Sequence, residues 1–211
     1  MRTENPGLAS RRARVHEHKS GSWGTSSQDF AQLARLLLAH SAQYAAGIPD
    51  RNCSPYSLAG IPMLFSALRC LLVELNGAAL GTFPIRQEAL DQLANSSNDV
   101  RVVLDRYALP DGVKRNLQLL LDVRHEIVHP AHRPGGEVNN TPEYLRELRE
   151  RGLLQSTGKD ADYIWLSQLQ SHRLFIWAFE VVRATAAALL QAHSASDFVT
   201  AGILASYSVD D

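Results

Sequence analysis

The residues best suited to chemistry lie in one run, Leu121-Asp122-Val123-Arg124-His125-Glu126-Ile127-Val128-His129-Pro130. Two patterns overlap there. His125-Glu126-Ile127-Val128-His129 has the spacing H-E-x-x-H, which on a helix puts two imidazoles on one face for zinc and supplies Glu126 as a general base. Arg124, followed by four residues and then His129, offers different chemistry. A planar, permanently charged guanidinium suits a phosphate, and an imidazole with an ordinary pKa of about 6.5 suits proton transfer near neutrality. The zinc pattern needs a third ligand. His132, Glu143, Glu147 and His172 are candidates, none of them inside a recognisable motif. Pro130 also stops the helix at once, and Asp122 puts a charge where zinc proteases tend to carry none.

Helix geometry bears on the choice. At about 100° per residue, Val113, Leu117, Leu120, Leu121, Ile127 and Val128 form one stripe, with Arg124 near its middle. An unpaired guanidinium is costly inside a core. This reading therefore sets the stripe against a cleft, a partner subunit or an acidic partner. Glu126 then points to the opposite side. His129 sits about 140° off the stripe in an ideal helix, and fraying before Pro130 would turn it toward Arg124. Glu74, within Leu71-Leu72-Val73-Glu74-Leu75, is either an internal ion-pair partner for Arg124 that needs no function or a supporting acid of the site. His125 and His129 also suit the negative end of a helix dipole with no further role.

The elements that must position this run are helical. Phe30, Leu33, Ala34, Leu37 and Tyr44 follow helical spacing over 27 to 46. A second, strongly apolar helix is expected over 57 to 76, stopped by Gly77. Residues 84 to 107 read as two short helices broken near Asn95-Ser96-Ser97. Asp111 caps a long helix to about 129, which Pro130 ends. Thr141-Pro142 opens another that Gly152 closes. Ser167 with Gln170 has a capping-box pattern starting a last long helix to about 193. Trp165, Phe175, Trp177 and Phe179 read as packing aromatics, Cys70 as a small core residue, and His172 and Arg173 as surface residues. Only residues 163 to 166 look strand-like. The expected fold is all-α, a bundle of about four long helices with short additions.

Composition sets bounds around that core. The chain has 211 residues, and 21 Lys and Arg against 22 Asp and Glu give a net charge of -1. A strongly basic grip on nucleic acid by the whole protein is excluded, while a local basic site is not. Residues 1–25 read as a disordered basic tail of net charge +3, 26–193 as the helical domain, and 194–211 as a short, poorly ordered C-terminal tail. Two cysteines make neither a disulfide framework nor a four-cysteine zinc site. No segment reads as membrane-spanning, since the longest apolar stretches, such as Leu36-Leu37-Leu38 and Ala186 to Leu190, fall far short of the ~20 residues of a spanning helix, and Arg11-Arg12 lacks the apolar block of an export signal. The expectation is a cytoplasmic protein without a membrane partner.

The Arg124 to His129 segment, at the end of a late helix in an all-α chain, resembles the RNase members of the HEPN family (higher eukaryote and prokaryote nucleotide-binding). These carry Arg-x4-6-His with a polar residue after the arginine. Here that residue is His125 where Asn is commoner. The resemblance covers about residues 27 to 193. It implies metal-independent cleavage of RNA, with no cofactor, by a homodimer of toxin or defence type whose two motifs face each other. An antitoxin or other regulatory protein is a partner of that class. Carried over, His129 acts as general acid or base, Arg124 holds the phosphate, and His125 orients the phosphate or His129. His132 and Arg133, in the following loop, would reach RNA phosphates. The alternatives are a non-catalytic HEPN-like module that binds a nucleotide or a partner, a zinc hydrolase using His125, Glu126 and His129, and a plain helical interaction protein.

Overall fold

The computed structural model describes residues 26–48, 52–79, 100, 104, 107–130, 141–155 and 165–209. Among them are seven helices and no strand: α1 (Ser26–Ala46), α2 (Ser57–Ala79), α3 (Asp111–Val128), α4 (Glu143–Glu150), α5 (Trp165–Gln168), α6 (His172–Ala192) and α7 (Asp197–Ala205). The fold is all-α, with four long helices, α1, α2, α3 and α6, and short additions.

α1 and α2 run antiparallel. Ser27, at the start of α1, meets Glu74 near the end of α2, and Ser41 meets Ser54 just before α2 begins. α6 starts at that second end, where the Ser57 hydroxyl donates to the Leu169 carbonyl at 2.7 Å. The packing there is close enough to demand glycine. A Cβ on Gly60 would lie 1.8 Å from Cζ of Phe175, so the α6 aromatic fills the space that Gly60 leaves on α2. Phe175, Phe179, Leu64, Leu68, Leu71, Leu117 and Leu120 are among the fully buried side chains. They are the apolar faces of α2, α3 and α6 brought together, the main source of fold stability. α2 over Ser57–Leu75 and the whole of α6 are long and apolar enough to cross a bilayer by length and composition, yet half or more of each is buried in the bundle. Counting uninterrupted apolar runs misses this, because single polar residues break each helix.

Helix ends differ from expectation in instructive ways. α6 begins five residues after Ser167. Ser171 is its N-cap, and the Ser171 hydroxyl accepts from the Leu174 N–H, while Ser167 lies in the short helix α5 that takes part of the strand-like stretch. Asp111 is the first residue of α3, after an N-cap at Pro110. Its charge still favours the helix N-terminus through the dipole. α2 passes through Gly77 to Ala79. α4 is N-capped by Pro142, one residue past Thr141, and ends where Gly152 takes a φ of 68°, a left-handed conformation that glycine adopts without strain.

The C-terminal stretch is the largest departure. Residues 197–205 form α7, N-capped by Ser196, and Tyr207 beyond it is fully buried. Ile203 and Tyr207 supply the apolar area that holds this segment down, and Gln28 of α1 donates to the Gly202 carbonyl at 3.2 Å. Of the two short helices expected over 84 to 107, Val100 and Leu104 are helical and buried. Tyr107, the last residue of that stretch, is described and lies outside any helix, and the rest lies outside the described residues, as does the basic segment 1–25.

Candidate functional site at the end of α3

α3 ends one residue before its last histidine. His129 is the C-cap, at φ -130° and ψ 67°. A residue before proline is pushed out of the helical region by the proline ring, and Pro130 follows. The His129 N–H still donates to the His125 carbonyl at 2.8 Å, so the last turn closes while the His129 side chain leaves the helical path. It is brought to His125, with ring centroids 5.4 Å apart and planes tilted by 52°. Both imidazoles are exposed.

The buried face of α3 is rotated from the expected stripe. Leu117, Leu119, Leu120, Val123 and Glu126 are buried, while Val128 is exposed and Arg124 is half-buried at the edge of the face. α3 packs against α6 and α2, and α4 with the residue after it ties to one flank, with the Tyr144 hydroxyl donating to Glu126 at 3.1 Å, Arg115 reaching Glu147 at 3.2 Å and Arg151 reaching Asn116 at 2.8 Å. Arg115, Asn116, Leu119 and Glu126 share that flank. The apolar pattern of α3 taken alone could not reveal a short amphipathic neighbour. Glu126, expected to face away, is 5% exposed and held under Tyr144. Arg124 is not buried, so it needs no second subunit to relieve it. Among the described residues it carries no hydrogen bond or ion pair.

The other candidates are dispersed. The Glu74 carboxylate accepts from the Ser27 N–H at 3.1 Å and from the Ser27 hydroxyl at 2.6 Å, at the start of α1. No ion pair joins it to Arg124 among the described residues. Tyr207 lies close by, its hydroxyl pushed well above the usual range by burial, with Glu74 and Cys70 adding to the effect. Burial also raises the Cys70 thiol. Glu147 is drawn below the usual carboxylate range by its bond to Arg115. His132 and Arg133 lie outside the described residues. His172, expected at the surface, is instead partly buried. Its Nδ1 sits 2.9 Å from the Ser41 hydroxyl, and burial lowers its pKa. Arg173 is exposed, as expected.

The His172 network escaped sequence reasoning altogether. Ser41 donates to Ser54 at 2.6 Å. Asn52 accepts from the Ser171 hydroxyl at 3.1 Å and from the Arg173 N–H at 2.9 Å, and donates to the Leu154 carbonyl at 3.2 Å. Its members come from four separated segments, with no local spacing to mark them.

Chemically, the α3 end offers a guanidinium and two imidazoles open to solvent, and the one acid among them is turned inward. His125 and His129 supply two nitrogen ligands. Among the described residues, no group of three or more His, Cys, Asp or Glu is placed to hold a metal ion. Compared with protein-family models, with curated proteins and with solved structures, the chain finds no match.

Proposed function

We propose that this chain is a metal-independent endoribonuclease of the HEPN type, acting on RNA as a homodimer in a cytoplasmic toxin or defence setting, with a neutralising or regulatory protein as a further partner. One observation carries the reading. Arg124, His125 and His129 meet solvent at one helix end while Glu126, the acid between them, is withdrawn under Tyr144. That leaves a local cationic site on a chain of net charge -1, suited to a phosphodiester. The exposed Val128 beside it is an apolar contact that a second copy would cover. The dimer itself rests on the family resemblance.

In this reading the RNA 2′-hydroxyl attacks the adjacent phosphorus and the bond to the 5′ oxygen breaks. The products are a cyclic phosphate and a 5′-hydroxyl. His129 takes the proton from the attacking hydroxyl or returns one to the leaving oxygen. Arg124 holds the phosphate and stabilises the charge that grows on its oxygens. His125 steers His129 through their ring contact.

The test is cleavage of a mixed RNA in excess EDTA. Wild type cuts, whereas His129→Ala and Arg124→Ala, shown to be folded by circular dichroism, do not. Cleavage that survives Arg124→Ala overturns the reading.

A further inference from the structure

We propose that His125 and His129 also form a two-histidine site for zinc, and that zinc there switches off the RNA chemistry of the same residues. The second half rests on the ribonuclease reading; the first does not. The geometry supplies the argument. Zinc holds imidazole nitrogens at about 2.0–2.1 Å, so two rings on one tetrahedral ion have centroids roughly 5.2 Å apart. The His125 and His129 centroids are 5.4 Å apart, on rings already tilted to each other by 52°. The His129 N–H bond to the His125 carbonyl fixes the spacing of the two residues. Both rings are exposed, so an ion can enter without rearrangement of the core, and water would complete its coordination.

The arrangement favours inhibition over hydrolysis. A zinc hydrolase needs its glutamate beside the metal-bound water. Glu126 is instead buried and receives the Tyr144 hydroxyl, which takes the general base out of the zinc reading. Zinc bound at the pair occupies a ring lone pair on each histidine. His129 can then neither take up nor deliver the proton that RNA cleavage requires.

The experiment has two arms, both on the full chain. In the first, zinc is titrated without RNA against a chromophoric chelator. Wild type should bind one equivalent that weakens about tenfold or more in both His125→Ala and His129→Ala, because the second imidazole binds intramolecularly. That equivalent should persist in Glu126→Gln and Arg124→Ala. The chain has other histidines, His16 and His18 among them, so the readout is the equivalent lost on substitution. Zinc binding unchanged in both histidine variants overturns the site. In the second arm, RNA cleavage by wild type should fall as that equivalent fills and return with EDTA. Cleavage that persists at full occupancy, or that requires zinc, overturns the inhibitory role. A protein that cuts no RNA under any condition sinks the ribonuclease reading, and the titration alone then decides the site.

Discussion

At the junction of α1, α2 and α6, His172 shares Nδ1 with Ser41, Ser41 reaches Ser54, and Asn52 spans Ser171, Arg173 and Leu154. At the end of α3, His125 and His129 meet only each other as rings, and Arg124 has no ion pair among the described residues. Both regions gather histidine with other polar groups. In the first, polar atoms are withdrawn from water and matched to internal partners, as stability requires. In the second, they are left in water with their capacity unspent. Polar groups committed to the fold hold it, and polar groups left uncommitted at its surface can act on something else. The contrast predicts that substitutions in the two regions separate stability from activity.

The largest effect should fall on activity. Arg124→Ala should lower RNA cleavage by about 10²–10³-fold, the scale for removing one donor to a developing anion. Its unfolding free energy should move by no more than about 0.5 kcal/mol, because no internal partner is lost. Initial rates in EDTA and urea unfolding of the same preparation check both halves. A marked loss of stability would place Arg124 in the structural class and erase the comparison.

The converse belongs to Asn52. Asn52→Ala removes the acceptor for Ser171 and the Arg173 N–H and the donor to Leu154, at a site 4% exposed. Buried groups left unmatched cost more than the bonds contribute on average. The expected loss is about 3 kcal/mol, read as a lower urea midpoint, with RNA cleavage per folded molecule unchanged. Gly60→Ala should follow at about 1–3 kcal/mol, the usual range for overpacking, because the Phe175 ring must move from the space a new methyl would take. Tryptophan fluorescence with urea unfolding would show it, and an unperturbed midpoint would mean that the ring relocates freely.

Sequence carried the long helices well and the side-chain environments poorly, for a physical reason. Helical spacing over 27 to 46 and the apolar run around Leu71 and Leu72 are local signals, and α1 and α2 follow them. The packing role of Phe175, Trp177 and Phe179 followed from the same kind of pattern. Which flank of α3 is buried depends on the elements packed against it, α6, α2 and the eight-residue α4. Glu126 therefore changed sides once Tyr144 was in place. α7 was missed because its acid-containing sequence near the chain end resembles a tail. Phe198 remains 85% exposed, while Ile203 and Tyr207 find cover only in the assembled bundle. The Arg124, His125 and His129 run was legible because all three sit within one helix end. The His172 network was not, because it exists only after segments far apart in the chain have met.

The smallest effect is a pH dependence that distinguishes the two histidine environments. Burial holds the His172 pKa below its ordinary value of 6.5 in the folded protein. The unfolded chain, with its ring in water, therefore binds the proton first as pH falls. Where the unfolded state binds more protons, stability rises with pH. The contribution of neutral His172 is thus fully present above about pH 6.5. It is lost progressively as pH falls through that value toward the depressed folded pKa, where the loss is complete. Replacing the ring with a neutral amide, His172→Asn, keeps a polar atom near Ser41 and removes the titration. Urea midpoints at pH 7.5 and pH 5 should differ less in His172→Asn than in wild type. An identical pH slope in the two proteins would mean that the folded state accepts the proton as readily as the unfolded chain. Burial would then not set His172 apart, and the line between the two regions would have to be drawn elsewhere.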